Sequence, residues 1–234
     1  MSIQNIKEVQ RKNLVFDVAA LLRDSIAKGD LPPGTHLVEQ DVSQQLGVSR
    51  GPLREALRIL ETEGLVRSYP GRGSFVSELS ESDIWEIYSL RTILEEEAIR
   101  LATRQGNSDD LSVLQDVLDA MFQAAQEGDR ALVLDLDLGF HQQIWKMAGH
   151  SRLESFLKEV AVQAKMYIAV QTSLYDDLAV GVSDHETILE HLKSGNEEAA
   201  ADTMRSHLQV AETSLRAYFK EKQSRGDLLN RDVE

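Results

Sequence analysis

The sequence predicts a mostly α-helical protein that begins with a winged helix-turn-helix and continues as an antiparallel all-helical bundle. Three helical patterns and one hairpin pattern follow each other within residues 12–79, whereas from Ile84 onward there are helix signals and no convincing strand. The charge changes as well: residues 1–79 hold 10 Lys and Arg against 10 Asp and Glu, and residues 80–234 hold 15 against 29. We therefore predict a first domain over 12–79, a helical domain over 80–222 and a polar tail over 223–234.

The first helix is predicted between Asn13 and Lys28, where apolar residues recur at the helical spacing. Gly29 is placed to end it, and "LPPGTHLV" then supplies a turn and a short extended piece. The apolar residues that follow this spacing are Leu14, Val18, Leu21, Leu22 and Ile26.

Two shorter helices joined by "GVS" have the pattern of a helix-turn-helix. The first should be buried through Val42 and Leu46, and the second begins after Ser49. Ser49 can cap that helix, and Pro52 falls in its first turn, where a backbone N–H has no intrahelical acceptor to lose. The inward residues of this second helix are Leu53, Ala56, Leu57 and Leu60.

A β-hairpin is predicted next, because "LVRSY" and "SFVSE" alternate in polarity and "PGRG" separates them. At its tip Arg72 lies between Gly71 and Gly73, which would let backbone amides and one positive charge approach a groove closely. The alternative is a solvent-exposed arginine in an ordinary turn.

The net charge of −14 does not exclude nucleic acid as a partner, because the acidic excess lies entirely in residues 80–234. Residues 48–73 carry five arginines against three glutamates, a basic patch of the size that a small DNA-reading domain needs. The alternative is a solvated helix face with ion pairs along the helix.

Composition excludes several other classes of protein. With no cysteine, the chain has neither disulfides nor a Cys-ligated zinc or iron–sulfur site. The N-terminus "MSIQNIKEVQRKN" has no apolar core for a signal peptide, and no 18 apolar residues follow each other. We expect a cytoplasmic protein that does not cross a membrane.

The second domain is predicted to contain about six antiparallel helices. "SESD" can cap the first of them, and glycine-containing breaks separate most of the rest. The predicted ranges are 82–105, 109–127, 129–147, 151–174, 176–193 and 196–222.

Four residues of this domain have the spacing of a metal site. Asp137 and His141 are four residues apart, so they share one face of a helix. His185 and His207 lie 10 residues before and 12 after Gly195, so in a helical hairpin both would be about 15–18 Å from the turn. An Asp and three His suit a divalent transition ion such as zinc, nickel or manganese, with positions left for water or a carboxylate ligand. The alternative for each His is an ordinary imidazole with a hydrogen-bonded neighbour.

Arg91 lies among apolar residues on the first helix of the domain. It could pair with Glu95 four residues later, or turn inward and receive the carboxylate of a small ligand, for which a planar bidentate donor is well suited.

These motifs resemble those of a known family. "VSRGPLREALRILETEGLV" followed by "PGRGSFV" resembles the DNA-binding domain of GntR-type bacterial transcription regulators. "DLDLGFH", "SDHETIL" and "MRSHL" resemble the FCD effector-binding domain of the FadR branch, and six helices without an extra one after the wing are similar to its VanR-like subgroup. By this resemblance the chain is a homodimeric regulator whose recognition helix enters the major groove and whose wing tip reaches the minor groove.

The resemblance implies which residues touch the operator, and the chain departs from the family at two of them. Gly51 stands where the family often has Thr, and Gln40 where some members have a DNA-contacting arginine. On the recognition helix, Arg50 and Arg54 lie one turn apart and could contact guanine edges or phosphates. The complete predicted set is Gln40, Ser49, Arg50, Gly51, Arg54, Gly71, Arg72 and Gly73.

The sequence thus predicts a metabolite-responsive regulator that binds a palindromic operator as a homodimer. A small organic acid, bound near the metal and to Arg91, would release or re-orient the DNA-binding domains. A metal-dependent hydrolase using the Asp and His cluster is one alternative, although no HExxH motif occurs and we do not expect an enzyme. An interaction domain without an effector is the other.

Overall fold

The computed structural model describes residues 12–78 and 80–231, and the side chains of 14–78 and 80–221. The chain forms two compact units with the boundary between Glu78 and Leu79. The elements of the first, the winged unit, are α1 (Lys12–Ala27), β1 (His36–Leu37), α2 (Glu39–Gln45), α3 (Arg50–Thr62), β2 (Val66–Tyr69) and β3 (Gly73–Val76). Those of the second, the helical unit, are α4 (Glu81–Gln105), α5 (Ser108–Glu127), α6 (Arg130–Met147), α7 (Ser151–Leu174), α8 (Leu178–Ser194) and α9 (Glu197–Arg231). The predicted fold class is confirmed.

The winged unit packs α1 against α3, and the four residues predicted to face inward from α3 are all buried. From α1, Val18, Leu22 and Ile26 are buried, but Leu14 and Leu21 are 48% and 58% exposed. The apolar stripe of α1 is thus wider than the face that its described neighbours cover. Val42 and Leu46 of α2 are half-buried.

Ser49 occupies the N-cap position of α3, but its side chain makes no capping hydrogen bond. A capping side chain accepts from the second or third N–H of the helix; the third residue here, Pro52, has none, and Ser49 does not accept from the N–H of the second, Gly51. The prediction of a side-chain cap is therefore wrong, while Pro52 does lie in the first turn.

The hairpin is present and forms a three-stranded antiparallel sheet in the order β1-β3-β2. Tyr69 pairs with Gly73 at its tip. Gly71 and Gly73 have φ of 73° and 91°, a backbone conformation that glycine adopts without strain. A Cβ at Gly73 would also lie 2.8 Å from Nε2 of His36, so this position has no room for a side chain.

In the helical unit, the helices begin and end at the predicted breaks. Ser80 caps α4 by accepting a hydrogen bond from the backbone N–H of Asp83. Gly128 and Gly195 end α5 and α8 in the left-handed conformation. The inward faces of the helices share one large apolar cluster, which includes the fully buried Phe140.

The predicted end of the last helix is wrong, because α9 continues to Arg231 rather than stopping at residue 222. Its extension over 223–231 contains two arginines, two leucines and one glutamine, which have high helix propensity, and a single glycine costs a helix only about 1 kcal/mol. Residues 232–234 of the predicted polar tail lie outside the described residues, as does most of the N-terminal segment assessed for export. No helix within the described ranges has the length and apolar character needed to cross a membrane.

Candidate functional site

The structure brings Asp137, His141, His185 and His207 together inside the helical unit. They come from α6, α8 and α9, and one potential ligand atom from each lies within 4.8 Å of those of the others. The ring centroids of His185 and His207, which face each other across the α8–α9 hairpin, are 4.6 Å apart. His141 and His185 are fully buried, so the cluster lies in the core and not on the surface.

The imidazoles of the cluster are held from outside through Nδ1. His185 Nδ1 is 3.2 Å from the carbonyl oxygen of Val182, and His207 Nδ1 is 3.6 Å from a carboxylate oxygen of Asp184. His185 Nε2 lies 3.2 Å from Asp137 Oδ1 without hydrogen-bond geometry, and Nε2 of His141 is equally without a partner. Ring nitrogens that lie close together and are fixed through the opposite nitrogen are the arrangement that ligating histidines adopt.

Glu95 holds the third imidazole and connects the cluster to Arg91. One of its carboxylate oxygens contacts Nδ1 of His141 and accepts a hydrogen bond from Nε1 of Trp145 at 3.3 Å. The other accepts from Nε of Arg91 at 2.9 Å. Burial alone would raise the pKa of Glu95, but the charges of His141 and Arg91 outweigh it and lower the pKa to about 2. Glu95 is therefore a buried anion that orients a histidine on one side and an arginine on the other.

The electrostatics of the cluster favour a cation at its centre. Burial would raise the pKa of Asp137, but its contact with His185 and the neighbouring imidazoles hold that pKa below its ordinary value. Burial lowers the pKa of His207 to about 4, although Asp184 acts in the opposite direction. At neutral pH the centre thus presents an ionised carboxylate and, at His207, a neutral imidazole, the forms that bind metal.

Arg91 pairs with Glu95 as one alternative predicted, but the pair is turned inward and buried rather than on the surface. Its guanidinium carbon is 5.2 Å from the ring centroid of Tyr88. Arg91 and Tyr88 line a cavity that Asp137 and His207 also reach.

Three residues of the site were not predicted from the sequence in these positions. Glu95 was recognised only as a partner of Arg91, and Tyr88 and Asp184 were not singled out. Of the three, only Glu95 could have been identified from the sequence. It is a carboxylate among inward-facing positions of α4, and a carboxylate there needs a buried partner. Burial raises the pKa of the Tyr88 hydroxyl well above its usual range, so it stays protonated.

In the winged unit, the residues predicted to touch DNA all lie exposed. They come from the beginning of α2, the beginning of α3 and the hairpin tip. Nothing lies within 4 Å of a Cβ built on Gly51, so the packing of the winged unit itself does not require glycine there. The eight exposed residues are Gln40, Ser49, Arg50, Gly51, Arg54, Gly71, Arg72 and Gly73.

The two arginines at the start of α3 are paired with side chains of α2. Arg50 donates to the side-chain oxygen of Gln40 at 3.2 Å. Arg54 donates from Nε to both carboxylate oxygens of Glu39 at 2.9 Å, and its hydrogen bond lowers the pKa of Glu39. At the hairpin tip, the Arg72 guanidinium lies over the ring of Tyr69 at 5.8 Å. The cationic groups are thus presented in defined positions before any polyanion binds.

Comparisons with known proteins agree with this arrangement. Residues 14–76 match the family of bacterial regulatory proteins called gntR, and residues 86–210 match the FCD domain. The chain is 28% identical over 188 residues to YdhC, an uncharacterised HTH-type transcriptional regulator of Bacillus subtilis, with 80% of this chain and 84% of the relative covered. It is 29% identical over 204 residues to a probable D-xylose utilization operon transcriptional repressor of Paenarthrobacter nicotinovorans, with 86% and 88% covered.

The same fold occurs in the solved structure of McbR/YncC of Escherichia coli. The TM-score is 0.78 at 23% identity, over 88% of this chain and 99% of that one. The matched families and relatives are transcription regulators and not enzymes, which confirms the prediction that the chain is not an enzyme.

Proposed function

Because the chain belongs to the GntR family of bacterial regulators, in the branch with an FCD domain, we propose that it is a metabolite-responsive transcription regulator of the cytoplasm. It binds a palindromic operator as a homodimer, and a small organic acid bound beside a divalent metal ion releases or re-orients it. The observation that carries the proposal is the convergence of one Asp and three His in the unit attached to a winged helix-turn-helix.

The residues present fit a divalent transition ion. The buried Nε2 atoms of His141 and His185 have no hydrogen-bond partner, and a buried nitrogen in this state is costly unless something binds it. His141, His185, His207 and Asp137 would hold the ion, with Glu95, Val182 and Asp184 fixing the three imidazoles from behind. Three imidazoles and one carboxylate suit zinc, nickel or manganese.

The bound ion would supply positive charge for a ligand carboxylate at the cavity wall. Arg91 adds a second positive charge there, and Glu95 keeps its guanidinium in place. For the acid to act as a signal, it must bind the DNA-competent and DNA-incompetent states with different affinity.

On the DNA side, Arg50 and Arg54 are the main contacts of the recognition helix, with Arg72 at the wing tip. Gly51 leaves room for the DNA backbone, and Gln40 can donate to a phosphate or an adenine edge. The acidic helical unit would be repelled by DNA, so the winged unit alone binds it.

A two-part experiment on the full chain tests this function. The metal content of wild type, His185→Ala and His191→Ala is measured after loading with zinc, and each protein is titrated with DNA from its own promoter region. His191 lies on the same helix but outside the cluster, so it is the matched control.

We expect one ion per chain in wild type and His191→Ala. In His185→Ala the metal affinity should fall at least about 100-fold. Removing an outer-shell partner of a ligand typically lowers metal affinity about 10–100-fold, and removing a ligand itself should lower it more. The promoter DNA should bind far more tightly than unrelated DNA. Wild type that takes up no ion, or that does not distinguish the two DNAs, would contradict the proposal.

A further inference from the structure

Among the described residues, three buried side-chain atoms lack a hydrogen-bond partner: Nε2 of His141, Nε2 of His185 and the hydroxyl of Tyr88. All three belong to one site. The metal ion of the proposed function accounts for the two imidazole nitrogens, but Tyr88 is not among the four residues that could hold it. A buried hydroxyl without a partner needs its own explanation.

Tyr88 is fully buried on α4 and lines the cavity that also reaches Asp137, His207 and Arg91. Its ring is fixed because the Arg91 guanidinium lies against it. The hydroxyl lies close enough to Arg91 and Asp137 for their charges to act on it, and it is a buried polar group of this site without a hydrogen bond of normal geometry.

The rest of the wall has three further polar side chains, each with part of its hydrogen-bonding capacity already used. Thr172 donates from Oγ1 to the carbonyl of Ile168 at 2.8 Å, and Gln171 donates from Nε2 to the hydroxyl of Tyr175 at 3.3 Å. Most of the other lining side chains are apolar, among them Met121, Val133, Ile168, Leu178, Val182 and Leu208.

We infer that the ligand is a monocarboxylic acid with an apolar body, and that Tyr88 is a specificity-determining residue whose hydroxyl donates a hydrogen bond to the carboxylate. The inference rests on the proposed function and narrows its ligand class. Arg91, the metal and Tyr88 recognise the anionic end. The apolar wall receives the remainder of the molecule, which gains from leaving water.

Because most of this wall is apolar, sugar acids and dicarboxylates are disfavoured as ligands. Each would bring hydroxyl groups or a second carboxylate against a wall that is apolar at Met121, Val133 and Leu208, where the water they lose is not replaced. An apolar wall gives moderate discrimination against an added hydroxyl, on the order of 100-fold, because the cost is that of desolvating the ligand's own polar group.

Three six-carbon acids test the ligand class, since they differ only in polarity: hexanoate, adipate and gluconate. Each is titrated calorimetrically into the zinc-loaded full-length protein, and the zinc content is measured afterwards. We expect hexanoate to bind at least about 10-fold more tightly than either of the others. Equal or tighter binding of adipate or gluconate would overturn the inference, and so would the failure of all three to bind.

Tyr88→Phe tests the role of the hydroxyl, with Tyr175→Phe as the matched control. Both changes remove one hydroxyl from the same cavity wall, but the oxygen of Tyr175 already accepts a hydrogen bond from Gln171, whereas the hydroxyl of Tyr88 has no partner. We expect Tyr88→Phe to weaken hexanoate binding about 10-fold and Tyr175→Phe to weaken it less than about 3-fold. Without any acid, the thermal midpoint of Tyr88→Phe should equal or exceed that of wild type, because an unpartnered buried hydroxyl is gone.

Equal hexanoate affinity in Tyr88→Phe and wild type would overturn the assignment of Tyr88. These failures are distinguishable from failure of the proposed function, which is decided by metal uptake and promoter binding. A protein that holds zinc and binds its promoter but prefers gluconate keeps the proposed function and loses the inference.

Discussion

The two units each contain an arginine–glutamate pair of nearly identical length and opposite environment. In the helical unit, Arg91 and Glu95 are 2.9 Å apart with side chains 4% and 1% exposed. In the winged unit, Arg54 and Glu39 are 2.8 Å apart with side chains 59% and 32% exposed. Burial, rather than contact distance, therefore separates their roles.

A buried pair cannot separate without leaving a charge in a medium of low dielectric constant, so it fixes the side chains around it. An exposed pair costs little to open, because water solvates both partners. The helical unit thus has a permanent charge framework around a small cavity. The charge pair of the winged unit is exchangeable, because a phosphate can take the place of Glu39.

The largest expected effect follows from breaking the buried pair. Glu95→Gln leaves Arg91 as an uncompensated buried cation, and removal of one partner of such a pair costs about 3–5 kcal/mol of the free energy of unfolding. Urea unfolding followed by tryptophan fluorescence measures it, because both tryptophans, Trp85 and Trp145, lie in the helical unit. A chelator keeps metal from contributing.

Glu39→Gln, the same chemical change in the winged unit, is the control, with unfolding followed by circular dichroism. It should leave the free energy of unfolding nearly unchanged, because exposed ion pairs contribute little. If Glu95→Gln were as stable as this control, the distinction between the two pairs would be lost.

The sequence alone was sufficient for the architecture because its signals there are local. Gly128 and Gly195 end their helices where predicted, since a left-handed residue after a helix is a short-range requirement. Spacing is not enough where packing decides: Leu14 and Leu21 share the helical spacing of the buried residues of α1, yet they are exposed in the part of the chain that the structure describes. Spacing gives the faces of a helix, and the other elements determine which face is buried.

The same limit applies to the site. His185 and His207 could be placed level with each other because a short turn fixes the register of their hairpin. Glu95 meets His141 from 46 positions away, across two other helix junctions, and no local pattern specifies such a contact. Tyr88 has the spacing of an ordinary core residue, and only the unpaired hydroxyl distinguishes it.

A smaller effect should appear as a pH dependence of the helical unit without metal. Burial lowers the pKa of His207 to about 4, whereas an unfolded histidine titrates near 6.5. Below about pH 6.5 the unfolded chain therefore binds a proton that the folded chain does not, and stability falls as the pH falls. Between about pH 6.5 and 5 this amounts to about 1.5 kcal/mol.

Urea unfolding in the presence of a chelator, again by tryptophan fluorescence, measures this slope. His207→Gln removes the titrating group and should flatten the slope over that range. Carboxylates with lowered pKa, such as Glu95, lose their contribution only at pH values below about 4, so they do not interfere. The same slope in wild type and His207→Gln would show that His207 is not held neutral by burial.

The smallest expected effect comes from the exposed pair, and it has opposite signs for the two partners. Arg54→Ala should weaken binding to the promoter DNA about 10-fold, because a contact with a guanine edge or phosphate is lost. Glu39→Gln should strengthen it about two- to five-fold, because Arg54 no longer has to leave a carboxylate before it meets DNA. Fluorescence anisotropy over a range of salt concentrations measures both.

Glu55→Gln separates release of Arg54 from a general change in charge. Glu55 pairs with Arg58 on the same helix, is 57% exposed, and neutralising it changes the net charge of the winged unit by the same amount. A general electrostatic effect would raise affinity equally in Glu39→Gln and Glu55→Gln and would disappear at high salt. Release of a specific contact predicts a larger gain in Glu39→Gln. It also predicts that Glu39→Gln gives no gain in DNA affinity when it is combined with Arg54→Ala, because Glu39 then has no Arg54 to pair with.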